Sequence, residues 1–230
     1  MSYVITPPTP ASVPVSGGGE FPVHRIYCVG RNYADHAVEM GFSGREPPFF
    51  FMKPADAVLP VAEGQTGLMA YPPLTTNLHH EIELVVAIGR GGAGIQAADA
   101  PGHIWGYAVG LDMTRRDLQN EMKKQGRPWS IGKGFDQSAP IGPLVPLART
   151  GELLKGAITL AVNGVVKQKG DLAELIWSVN ETIEQLSAAW TLQPGDLIFT
   201  GTPSGVGAVV RGDLMEGAIA GLGSLKVAVR

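Results

Sequence analysis

At 230 residues the chain can build one sizeable core or two small ones, and its 44% hydrophobic content is ordinary for a globular protein. Charged residues make up 17%, the formal net charge is −3 and no basic run occurs, which argues against a nucleic-acid partner. Cys28 is the single cysteine, so no intrachain disulfide can form and a cysteine-based zinc site is disfavoured; no apolar run reaches the length of a membrane span. The first residues lack a basic segment followed by an apolar one, so the sequence predicts a cytoplasmic chain.

Residues 1–20 are rich in Pro and Gly and predict a flexible arm, with one globular domain over 21–230. Arg25 to Val29 predicts a short strand ended by Gly30. The stretch from Arg31 to Gly41 has helical character in its middle, with His36 and Glu39 spaced to share a helix face. Phe49 to Phe51 predicts a short buried strand, followed by Lys53. His79 to Leu84 leads into Val85 to Ile88, an apolar β-branched run that predicts a buried strand. On a strand Glu81 and Glu83 share a face, about 6–7 Å apart at their α-carbons.

Ile104 to Asp112 predicts another strand. Its Gly106, Ala108, Gly110 and Asp112 form a face stripped of bulk, as expected where something approaches closely. A helix follows to about Lys124, with Thr114 and Asp117 as a candidate capping box and Arg116, Gln119 and Lys123 on one face. Pro128 to Phe135 reads as a loop. Asn163-Gly164 between two apolar runs predicts a hairpin with a two-residue turn. Leu172 to Ala189 has helical character, and Ser178 and Glu181 can cap its longer segment. Gly201 to Gly207 is a glycine-rich loop. The whole predicts a mainly β protein of α+β class with short peripheral helices.

Three constellations stand out, each with two readings. Glu81 and Glu83 either face solvent on a one-sided sheet or, with Asp112, share a hard divalent cation, which carboxylate oxygens favour. His36 and Glu39 are either an incidental surface pair or a general base held by its carboxylate. Gly201 to Gly205 is either a tight turn or a backbone cradle for an anion.

Five of these stretches occur in the order found in the fumarylacetoacetate hydrolase family, and the chain resembles that family over about residues 21–230. They are Tyr27 to His36, His80 to Leu84, Gly110 to Asp117, Trp129 to Phe135 and Gly201 to Gly207. The short chain is similar to the acylpyruvase branch. The resemblance implies a mixed β-roll or sandwich and a homodimer. It implies Glu81, Glu83 and Asp112 as ligands to Mg2+ or Mn2+, His36 and Glu39 as a catalytic dyad on a lid, and Arg116, Gln119, Lys133 and Thr202 as substrate contacts. Lys53 and Arg31 are candidates for binding a second carboxylate. The implied reaction is hydrolysis of a carbon–carbon bond in a small 2,4-dioxo acid, foremost 3-fumarylpyruvate to fumarate and pyruvate in aromatic catabolism. Oxaloacetate decarboxylation and isomerisation of a 2-hydroxy-dienedioate are the alternatives. Neither a nucleic acid nor a membrane is an expected partner.

Overall fold

The computed structural model describes residues 3–33 and 45–230. An eight-stranded mixed sheet forms the backbone of the fold. Its central strands are Leu197–Phe199, Ile82–Ile88 and Ile104–Leu111, with Ile26–Gly30 and Phe49–Lys53 on one side, Ala139–Ile141 and Val58–Pro60 on the other, and Val145–Pro146 also paired with Ile104–Leu111. A five-stranded sheet lies over one face, in the order Val165–Asp171, Ala157–Val162, Leu214–Ile219, Gly223–Val229 and Thr66–Met69. The predicted mainly β roll is therefore present.

The larger core lies where these sheets meet. Ile82, Leu84 and Val86, with Val109 and Leu111 of the next strand, share it with Ile158, Leu160, Met215 and Val227. A Cβ on Gly217 would lie 2.5 Å from Ile82 Cδ1, so glycine lets the two sheets approach. The opposite face of the large sheet is also buried. Cys28, Val85, Ala87, Ala108 and Phe199 pack there with Val13 and Phe21. Every residue of Ile82–Ile88 is consequently buried, which accounts for its continuous apolar run.

Val13 corrects the expected arm in its second half. Ser12–Pro14 pairs antiparallel with Glu20–Pro22, and Val13 is fully buried. Gly17, Gly18 and Gly19 all have positive φ, between 95° and 112°, and turn the chain between these strands. The glycines that suggested flexibility supply a turn instead.

The small-residue face of Ile104–Leu111 also has a different cause from the one expected. A Cβ on Gly106 would lie 2.3 Å from the Val145 carbonyl oxygen, and one on Gly110 would lie 2.5 Å from Val85 Cγ2 and 2.8 Å from Phe199 Cε1. Protein, not ligand, approaches that face. The Asn163-Gly164 hairpin is as expected, with φ of 51° and 77° at its two turn residues. Val179–Ala189 is capped by Ser178 and Glu181 in a full capping box.

Candidate active site

The site forms where the glutamate strand changes sheets. Leu78–His80 pairs with Thr114–Arg115 and Gly207–Val209 in a small three-stranded sheet, whereas Ile82–Ile88 belongs to the large one. Glu81 sits at the break, and its carbonyl still accepts the Asp112 N–H at 2.8 Å. Glu83 lies opposite Gly110, two residues before Asp112. One ligand oxygen from each of Glu81, Glu83 and Asp112 falls within 4.8 Å of the others. The solvated-sheet reading does not hold, because these carboxylates are only 6%, 2% and 1% exposed.

Buried cations surround this set. Lys133 Nζ donates to Glu81 Oε2 at 2.8 Å and to Asp112 Oδ2 at 2.7 Å. Arg116 donates to the other oxygen of Glu81 and to Gln119 Oε1. Burial alone would raise the Glu81 carboxyl, but the Lys133 and Arg116 charges outweigh it and hold Glu81 well below the usual range. Glu83 is different. Among the described residues it makes no ion pair, and its Oε2 accepts the Gly201 N–H at 2.9 Å. Burial, with Asp112 and Glu81 adding repulsion, pushes its carboxyl well above the usual range. Lys53, Lys133 and Arg116 match the three carboxylates in number, but none of them pairs with Glu83, and a divalent cation among the three carboxylates would give Glu83 the direct positive partner it lacks. The donor set, all carboxylate oxygen, suits Mg2+ or Mn2+.

Lys53 requires a correction. It is 2% exposed and lies beneath the triad, with Nζ 2.8 Å from Asp112 Oδ1 and bonded to the Lys133 carbonyl. Its alternation on Phe49–Lys53 turns it inward next to Ile26, so it cannot meet a second substrate carboxylate. The segment read as a loop from Pro128 contains a short helix, Ser130–Lys133, which aims Lys133 at the triad. Gly132 permits this: a Cβ there would lie 2.9 Å from the Gln119 backbone nitrogen. The capping box expected of Thr114 and Asp117 is absent. Thr114 is buried in a strand, and Asp117 instead accepts from Thr75 Oγ1 at 2.6 Å and Thr76 N at 3.1 Å.

A cavity of about 260 Å³ opens over the triad. Arg116, Gln119, Lys133 and Thr202 all line it, as does Arg31. Phe49 and Trp129 add an aromatic wall, edge to face at 5.3 Å between ring centroids. His36 and Glu39 lie outside the described residues.

Two groups were missed at the level of sequence. His79 lines the cavity; its Nε2–H donates to Asn77 Oδ1 and its Nδ1 accepts from Arg116 Nε at 3.4 Å. Burial and the Arg116 charge lower its pKa to about 4, so the ring is neutral. Gln168, fully buried, is the second. Its Oε1 accepts from His80 Nδ1 and Ile82 N, and its Nε2 donates to Thr202 Oγ1 and the Pro203 carbonyl, at 2.8–3.1 Å. Thr202 in turn donates to the Ile82 carbonyl at 2.7 Å. Gln168 therefore ties the glycine-rich loop to the glutamate strand, and it occupies His80, which points away from a ligand role. Gln168 sits on an exposed-looking hairpin strand, Val-Val-Lys-Gln-Lys, with no local signal of burial.

The model of the family described as "Fumarylacetoacetate (FAA) hydrolase C-terminal" matches residues 25–230. The chain belongs to the fumarylacetoacetate hydrolase family. It is similar to a fumarylpyruvate hydrolase of Ralstonia sp, 46% identical over 184 residues, covering 80% of this chain and 93% of that protein. It is also similar to the mitochondrial oxaloacetate tautomerase FAHD1 of Homo sapiens, 44% identical over 200 residues, or 87% of this chain and 89% of that one. Among solved structures, a fumarylpyruvate hydrolase from Pseudomonas aeruginosa crystallised in complex with Mn2+ and pyruvate has a TM-score of 0.97 and 59% identity, over 99% of both chains.

Proposed function

We propose that the protein is a divalent-metal-dependent hydrolase of acylpyruvates, with 3-fumarylpyruvate as its substrate and fumarate and pyruvate as products. The observation that carries this reading is the buried set Glu81, Glu83 and Asp112 at the floor of a cavity lined by Arg116 and Lys133. The Pseudomonas aeruginosa structure, a complex with Mn2+ and pyruvate at 59% identity, supports both the metal and the pyruvyl half of the substrate.

The reaction places its demand on a leaving group. His36, oriented by Glu39, takes a proton from water as the water oxygen attacks the 4-carbonyl carbon. The C3–C4 bond breaks, its electron pair leaves with the pyruvyl half as an enolate, and a proton returned to C3 gives pyruvate. The other half departs as the fumarate carboxylate. Bound Mg2+ or Mn2+ supplies Lewis-acid charge at the 2-oxo end. Lys133 and Arg116 surround the same end with fixed positive charge, and the low polarizability of the buried floor strengthens it. Thr202, held by Gln168, orients a hydroxyl at the cavity wall. The His36 and Glu39 roles rest on motif position.

A second reading, keto–enol chemistry on oxaloacetate, draws on the similarity to the human oxaloacetate tautomerase. It needs the same enolate stabilisation and no attacking water. Both readings are separated by offering fumarylpyruvate, acetylpyruvate and oxaloacetate with Mg2+ or Mn2+, then with chelator. Release of fumarate and pyruvate that stops on chelation supports hydrolysis; enolisation or decarboxylation of oxaloacetate without fumarylpyruvate cleavage would replace it. His36→Ala is expected to abolish hydrolysis and leave metal binding intact. We also propose the homodimer, tested by light scattering at twice the chain mass.

A further inference from the structure

One helix links the floor of the cavity to its rim. Arg116, Gln119, Asn120 and Lys123 of the helix Arg116–Lys124 all line the cavity, at spacings that place them on one face. Exposure changes along that face. Arg116 bonds Glu81 and is partly buried, Gln119 is 7% exposed, and Asn120 and Lys123 are open to solvent. Two turns of helix, about 10 Å along the axis, separate Lys123 from Arg116. Lys123 makes no described ion pair or side-chain hydrogen bond. Arg31, stacked on Phe49 at 5.4 Å, brings a second cation to the same cavity.

We propose that Lys123 makes the rim of this cavity a carboxylate subsite, so that the enzyme selects 2-oxo acids carrying a second carboxylate at their far end. The dimensions agree. In an extended acid of the length of fumarylpyruvate, carbon–carbon bonds of about 1.5 Å put the terminal carboxyl carbons about 7 Å apart. With the 2-oxo end at the triad, the far carboxylate comes within the sweep of the flexible Lys123 stem. A monocarboxylic acid leaves that charge unmet, and the second carboxylate of a four-carbon diacid stops about 4 Å further from the rim. The ordinary role of a lysine in a last helical turn is to complement the helix dipole. Lys124 is in the same turn and does not line the cavity, so it separates the two roles. The subsite deepens the acylpyruvate reading and rests on it for the orientation of the ligand.

The test is binding rather than turnover. Mn2+-loaded protein is titrated calorimetrically with 2-oxopimelate and with 2-oxoheptanoate, acids of equal length that differ in the terminal carboxylate. Wild type is expected to prefer 2-oxopimelate by about tenfold or more. Lys123→Met is expected to lose that preference while holding 2-oxoheptanoate unchanged, and Lys124→Met to keep it. Equal binding of both acids by wild type overturns the subsite, as does a preference that survives in Lys123→Met or disappears in Lys124→Met. Binding of neither acid overturns it together with the 2-oxo acid reading. If the subsite behaves as expected but fumarylpyruvate is not cleaved, the hydrolase reading alone fails.

Discussion

At the floor of the cavity Glu81, Glu83 and Asp112 are at most 6% exposed, while at its rim Asn120 and Lys123 face solvent. The floor is built from two sheet strands and locked by Lys133, Lys53 and Arg116. The rim is the outer half of one helix. A charge at the floor is part of the fold, because burial makes each carboxylate depend on its partners. A charge at the rim is solvated in either state and adds little to stability. The reacting end is therefore hard to alter without unfolding the protein, and the far end is free to set which acid is held.

The largest effect is expected from the floor. Glu83→Ala should lower Mn2+ affinity at least about a hundredfold, more than the loss of an outer-sphere partner, and abolish turnover with it. Tight Mn2+ binding by that variant, measured calorimetrically, would remove Glu83 from the ligand set. Lys53→Met tests the floor's dependence on partners from beneath. Breaking this buried pair with Asp112 should cost about 3–5 kcal/mol in urea unfolding. A loss below about 1 kcal/mol would mean that Lys133 alone suffices for Asp112.

Gln168→Leu should have an intermediate effect, about 1–3 kcal/mol of stability from the stranded Pro203 carbonyl and Ile82 N–H. It should also lower turnover by freeing Thr202; unchanged kinetics would reduce Gln168 to a purely structural tie. The smallest effect belongs to Asp117, near the helix start. Partial burial raises its carboxyl, but bonds from Thr75, Thr76 and Leu118 outweigh that and hold it below the ordinary Asp value. A depressed carboxyl contributes stability above its ordinary value and loses it as pH falls. Asp117→Asn should therefore cost about 0.5–1 kcal/mol at neutral pH. The gap between variant and wild type, followed by urea unfolding, should close as pH falls below 3.8. A pH-independent gap would assign the effect to packing.

Much of the site was legible before any fold was known. Spacing marked Glu81 and Glu83 as a pair, although Glu81 falls in the break between two strands rather than on one strand with Glu83, and Asp112 follows a third; Arg116 and Gln119 on one helix face needed only local geometry. Asn163-Gly164 announced its turn through positive φ. Lys53 and Gln168 were not legible, because each is polar by type and buried only by contacts distant in sequence: Lys53 by Asp112 and Lys133, Gln168 by Thr202 and His80. Val13 was hidden by a glycine-rich turn whose composition reads as disorder until its strands pair.

The family resemblance implied the carboxylate set, since spacing left its two readings open; the sequence by itself determined the mainly β class and the helix face that carries Arg116 and Lys123. These follow from side-chain periods of a strand and a helix, which depend on neighbours a few residues away. Tertiary structure decided which lysine serves which carboxylate, and that glycines on the Asp112 strand make room for Val85, Phe199 and Val145 rather than for a ligand. It also decided that Glu83, alone of the three, is left without a described ion pair. Those outcomes depend on distances between strands far apart in the chain, and no local pattern encodes them.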